Sequence, residues 1–99
     1  MKDIVIGSNL IGQDRPPVVV AELSANHGGR IERALETISA AKEAGAHAIK
    51  LQTYSPDTMT IDCDLDDFMI NDGLWAGYKL YDLYKEAQTP FEWHKQMFE

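Results

Sequence analysis

Apolar residues along this chain fall into two short clustered runs separated by a helical repeat. Residues 18–23, VVVAEL, form one run, and residues 48–54, AIKLQTY, form the other. Between them Ile31, Ala34, Leu35, Ile38, Ala41 and Ala44 recur at the spacing of one helix face, and Gly45 stands where a C-terminal cap belongs. The pattern predicts strand, helix, strand, the unit that builds a parallel sheet. Ahead of it, IVIGSNLIG places short apolar stretches on either side of Gly7-Ser8-Asn9, a hairpin signal that Arg15-Pro16-Pro17 breaks off. Beyond it, Pro56 is expected to end the second strand, and residues 55–77 are too long for an ordinary connection, so a lid or a segment with short helices is expected. Leu80, Leu83, Tyr84 and Ala87 give the stripe of a helix over 78–88. Thr89-Pro90-Phe91-Glu92 reads as a capping box that starts another helix through WHKQMF.

Both strands break their own apolar rule at one end. Glu22 closes the first, and Lys50 with Gln52 lies on the face of the second opposite Ile49 and Leu51. A strand covered on both faces should be almost continuously apolar, and a buried Glu or Lys is costly unless it is paired or used. Parallel strands that run into helices bring their carboxyl ends together, where α/β folds and barrels carry their sites. Ser24-Ala25-Asn26-His27-Gly28-Gly29 follows the first strand as a turn whose glycines allow close backbone approach to a ligand.

Composition narrows the function. At 99 residues and 44% hydrophobic the chain reads as globular, yet a chain this short buries only about 60–65% of its unfolded surface, so burial should be incomplete. The net charge is −7, and the stretch between Lys50 and Lys79 holds Asp57, Asp62, Asp64, Asp66, Asp67 and Asp72 with no cation, the reverse of a nucleic-acid stripe. Asp62, Asp64 and Asp66 match the first positions of a calcium loop. The match then fails at Asp67, where glycine is required, and at Gly73, where glutamate is required, which leaves a solvated acidic loop. A single Cys63, no signal-peptide core and no long apolar run lead to the expectation of a cytoplasmic protein. The helical pattern stops without a third strand, and the expectation is the first part of a larger barrel of about 250 residues.

The segments AELSANHGG, AIKLQTYSPDTMTID and GLWAGYKLYDLYKEAQTPFEWH together resemble the N-terminal part of the sialic acid synthase family, most closely its pseudaminic acid branch. The resemblance covers residues 1–99 and implies an α/β fold: the N-terminal portion of a (β/α)8 TIM barrel, two βα units preceded by a β-hairpin. It places the rest of the barrel and an antifreeze-like domain outside those residues. It further implies condensation of phosphoenolpyruvate with a 2,4-diacetamido-2,4,6-trideoxy hexose in a homodimer that uses a divalent metal, manganese or magnesium. In that chemistry the enol carbon attacks the sugar aldehyde, polarised by the metal, water adds at the neighbouring carbon and phosphate leaves. The metal's histidine ligands are expected beyond this chain, and these residues alone are expected to be inactive.

On this reading Lys50 binds phosphoenolpyruvate, with a structural ion pair to Glu22 as the alternative. Glu22 orients the sugar or a water, or accepts a proton. Gln52 is expected to meet sugar hydroxyls or an acetamido group, or else to cap the strand end. Asn26 and His27 are expected to shape the pocket, Tyr54 to join the substrate site, and Trp75, with Tyr78, to offer an aromatic face to the sugar or to pack. His47 and His94 read as structural. Sialic or legionaminic acid synthesis in the same family, a non-catalytic sugar-binding module and a Schiff-base aldolase acting through Lys50 remain as competing readings.

Overall fold

The computed structural model describes residues 2–99. Strands β1 (Ile4–Ile6) and β2 (Asn9–Ile11) pair antiparallel, Ile6 opposite Asn9, around Gly7 at φ 61°, which is the hairpin expected. Strands β3 (Val20–Glu22) and β4 (Ala48–Lys50) form a separate parallel sheet, joined by helix α1 (Ile31–Glu43). Their register sets Val20 against Ala48, Ala21 against Ile49 and Glu22 against Lys50.

Helix α1 forms where the periodicity predicts it. Glu32 in its first turn and Lys42 in its last complement the helix dipole. Gly45, at φ 96°, closes it in a Schellman arrangement: Ala46 N–H donates to Ala41 O at 3.0 Å and Gly45 N–H to Lys42 O at 3.0 Å. Ala34 is fully buried against Leu23 and Met97, with Leu35, Ile38, Ile49, Leu51 and Trp93 packed around them. Trp93 and Met97 come from the chain end, where a turn of 3-10 helix (Phe91–Trp93) runs into α4 (His94–Phe98), and α4 lies against α1.

Three expectations on the elements are corrected. Both parallel strands are shorter than their apolar runs, and Val19 and Val20 remain 51% exposed, because α1 covers one face of a sheet of only two strands. Beyond Lys50 the ladder is interrupted: Leu23 N–H still donates to Lys50 O at 3.0 Å, but Gln52 O accepts from Thr89 N–H at 3.0 Å instead. That bond also takes the Thr89 N–H that the expected capping box at Thr89-Pro90-Phe91-Glu92 would use. Thr89 is fully buried, its Oγ1 has no partner among the described residues, and Pro90 takes the cap position of the following turn. Pro56 begins a helix rather than simply ending a strand. It occupies the first position of α2 (Pro56–Met59), where Thr58 Oγ1 accepts from Ser55 N–H at 3.2 Å and donates to Ser55 O at 2.7 Å.

The acidic segment folds back on itself. It contains a 3-10 turn (Asp66–Phe68), bridges Met69 to Lys79, and leads into α3 (Leu80–Ala87), which packs on α2. Lys79 Nζ pairs with Asp62 Oδ1 at 2.6 Å, and Tyr81 donates its hydroxyl proton to Asp57 Oδ1 at 3.1 Å. Both donors hold their protons more tightly than usual, chiefly through those hydrogen bonds. No described helix is long and apolar enough to cross a membrane.

Candidate functional site

The register of β3 and β4 brings Glu22 and Lys50 side by side at the carboxyl ends of the two strands. Lys50 Nζ donates to Glu22 Oε1 at 3.2 Å, and both side chains are more than half exposed, 58% and 61%. Among the described residues the pair therefore lies open to solvent. Exposed ion pairs contribute little to stability, about 0–1 kcal/mol, because water screens them and ordering two long side chains costs entropy. Either charge can therefore turn to a ligand at low cost. Gln52 is exposed just past Lys50 and enters the observed bonding through its carbonyl. Tyr54 is half-buried, edge-on to Tyr84 with ring centroids 5.7 Å apart; burial, and then Tyr84, raises its hydroxyl pKa above the usual value.

The loop after Glu22 is held by its own backbone. Asn26 N–H donates to Leu23 O at 3.1 Å and Arg30 N–H to His27 O at 3.1 Å, while Ser24 takes a left-handed φ of 53°, unusual for a residue with a side chain. Asn26 itself is exposed. His27 is fully buried. Its Nδ1 accepts from Gly29 N–H at 2.9 Å, which puts the proton of the neutral ring on Nε2. That Nε2–H has no conventional partner among the described residues, and the ring meets Trp93 edge to face, centroids 5.1 Å apart at 81°. In such a geometry an N–H can rest against an aromatic face, so His27 ties the glycine turn to the start of the last helical segment.

A cleft of about 370 Å³ opens beside this loop, walled by Gly28, Gly29, Trp75, Lys85, Glu86 and Trp93. Neither Glu22, Lys50, Gln52 nor Tyr54 lines it, so the site residues expected from the sequence divide between an open strand end and a separate recess. Trp75 stands edge-on to Tyr78, centroids 5.1 Å apart at 88°, and so both packs and faces the cleft. Lys85, Glu86 and Trp93 escaped the sequence reading because only folding brings the end of α3 against the glycine turn.

The other two histidines are engaged in local hydrogen bonds. His47 Nδ1 accepts from Val19 N–H at 3.0 Å, and His94 engages Thr53 Oγ1 at 2.7 Å and Phe91 O at 3.0 Å, so both play structural parts. Among the described residues no cluster of three His, Cys, Asp or Glu side chains is arranged to hold a metal. These residues by themselves form no such cluster for the divalent ion that the resemblance implies, whose ligands it places outside them.

Comparison with known proteins adds independent findings. The profile of the NeuB family matches residues 37–99. The chain is 57% identical over 86 residues to a pseudaminic acid synthase of Campylobacter jejuni, covering 87% of this chain and 25% of that protein. It is 49% identical over 85 residues to the pseudaminic acid synthase of Helicobacter pylori, covering 86% of this chain and 25% of that protein. The crystal structure of the spore coat polysaccharide biosynthesis protein SpsE from Bacillus subtilis superimposes with a TM-score of 0.65 at 29% identity, over 98% of this chain and 24% of that one. The chain thus spans about a quarter of the length of the curated relatives it matches.

Proposed function

The chain belongs to the NeuB family, and from that premise we propose that it forms part of a pseudaminic acid synthase, an enzyme that joins phosphoenolpyruvate to 2,4-diacetamido-2,4,6-trideoxy-L-altrose and releases phosphate. The observation that carries this reading is the high identity to two proteins of that name across most of the chain. The parallel β3–α1–β4 unit would supply the first two strands of a (β/α)8 barrel, with Glu22 and Lys50 at its mouth.

Lys50 offers a compact ammonium charge to the carboxylate or phosphate of phosphoenolpyruvate. Because its contact with Glu22 is solvent-exposed, an arriving anion competes for the ammonium without having to break a buried pair. Glu22, once the lysine is shared with the anion, is free to accept a proton or to orient a sugar hydroxyl. Gln52 carries both donor and acceptor groups suited to an acetamido arm.

The test is phosphate release by the intact protein, with phosphoenolpyruvate and either the diacetamido altrose or N-acetylmannosamine. Release with the altrose alone is the expected result; release with N-acetylmannosamine alone moves the protein to sialic acid synthesis. Lys50→Met should raise KM for phosphoenolpyruvate, and Glu22→Gln should lower kcat by about 10²–10⁴-fold if it moves a proton. A Glu22→Gln enzyme with wild-type kcat removes Glu22 from the chemistry.

A further inference from the structure

The loop that follows Glu22 is an arch with a buried foot at each end. Leu23 and His27 are both fully buried, whereas Ser24 and Ala25 between them are half-buried and Asn26 stands in solvent. Leu23 is set in the central apolar cluster, and Trp93, packed on that same cluster, meets the His27 ring edge to face at 5.1 Å. Hydrogen bonds hold each foot as well. Leu23 N–H donates to Lys50 O at 3.0 Å, while His27 Nδ1 accepts from Gly29 N–H at 2.9 Å and its carbonyl accepts from Arg30 N–H at 3.1 Å. The span has less of its own: Asn26 N–H donates to Leu23 O at 3.1 Å, and Gly28 N–H reaches Ala25 O only at 3.4 Å. Ser24, in that span, is left-handed at φ 53°. A strained backbone of this kind persists only where its surroundings hold it.

We propose that His27 is a positioning residue for the strand-end pair: as the far foot of the arch it holds Ser24 in its left-handed turn, and through Leu23 it fixes the backbone on which Glu22 meets Lys50. Glu22 directly precedes the near foot, and its contact with Lys50 at 3.2 Å is exposed, so its own packing does little to hold it. Release of the far foot lets Ser24 relax toward extended backbone, and the shift passes through Leu23 to Glu22. A shift of about 1 Å at a reacting group costs on the order of 10²-fold in rate. The role uses two sides of one ring. Nδ1 must remain an acceptor for Gly29, and the ring body must remain against Trp93. His27 thus serves the reaction without touching a reacting atom.

This inference rests on the synthase reading, and the experiment keeps the two apart. Intact wild type, His27→Phe, Ser24→Gly and the double variant are compared for phosphate release, well below the Tm of each, and for unfolding in urea. His27→Phe keeps a ring against Trp93 and loses the acceptor. It should lower kcat about 10–100-fold, while KM for phosphoenolpyruvate, bound by Lys50 on the neighbouring strand, changes by less than about twofold. Ser24→Gly alone should leave kcat unchanged, and in the double variant it should recover most of the lost kcat, because glycine takes the left-handed turn unaided. A His27→Phe enzyme with wild-type kcat, or a loss that Ser24→Gly does not relieve, overturns the proposal and leaves the synthase reading standing. Should His27→Phe fail to fold, the ring-nitrogen NMR shifts of wild type decide: a bare Nδ1 with a proton on Nε2 supports the clamp, and a proton on Nδ1 overturns it. A wild type that releases no phosphate removes the synthase reading, and the unfolding data then decide the arch. A cost of His27→Phe that shrinks in the Ser24→Gly background supports it, and simple additivity overturns it.

Discussion

Ser24 is the residue at which this loop is under most local strain. Its φ of 53° lies in the left-handed region, where a side chain costs roughly 1–2 kcal/mol, and it sits between the carboxylate of Glu22 and the buried His27. Gly28 and Gly29, at 59° and 76°, take the same region without that cost. Ser24→Gly should therefore leave stability unchanged or raise it by up to about 1 kcal/mol, and Ser24→Val should lower it by about 1–3 kcal/mol, as read from urea midpoints of the intact protein. A destabilised Ser24→Gly contradicts the strain. The two kinds of position differ in what sequence reveals. Glycines announce themselves, and the interruption of an apolar strand by Glu22 and Lys50 was enough to place those two side by side. Nothing in Ser-Ala-Asn-His marks the first residue as left-handed, and the fate of the His27 nitrogens depends on Trp93, distant in sequence.

Elements were legible where a local rule and the tertiary environment agree. Helix α1 has a continuous apolar stripe, complementary end charges and a glycine stop, and each of these lies within its own segment. Strand β4 reads as though it should reach Tyr54, yet it ends at Lys50 because its expected partner turns away into the loop after Leu23, and the Gln52 carbonyl is taken by Thr89. Such competition between distant backbone groups leaves no mark on strand propensity. The capping signals show the same effect: Thr89-Pro90-Phe91-Glu92 has the right letters but Thr89 is buried, whereas Ser55-Pro56-Asp57-Thr58 forms the working cap through Thr58. Thr58→Val keeps the shape and removes both hydroxyl contacts. It should destabilise the α2 turn by about 0.5–1.5 kcal/mol, visible as faster amide exchange at residues 58–60 with little change at α1. Equal protection in the variant would show that packing of α2 on α3 holds the turn by itself.

At the scale of the whole molecule, the radius of gyration is 17.1 Å, against about 13 Å for a compact domain of this length. The extents of 49 × 33 × 23 Å describe an open shape, and the central buried cluster consists of Leu23, Ala34 and Met97. Apolar side chains that a closed domain would cover stand in solvent: Ile4, Val5 and Ile6 along β1 are 57%, 67% and 60% exposed, beside the exposed Val19 and Val20. Among the described residues the outer edges of β3 and β4 have no strand partners, a template for pairing with another chain. Hydrophobic burial scales with area removed from water, so a core this small offsets little of the chain's conformational entropy. The 99 residues purified alone should therefore bind a dye for exposed apolar surface, unfold in urea over a broad transition with an m-value below about 1 kcal/mol/M, and associate increasingly with concentration. They should also release no phosphate from phosphoenolpyruvate, since the open strand end at Glu22 and Lys50 has no wall to exclude water from the reacting groups. A sharp, dye-silent, concentration-independent transition would mean that the small core and the pinned acidic loop are sufficient, and that the exposed strand faces are tolerated as a native surface.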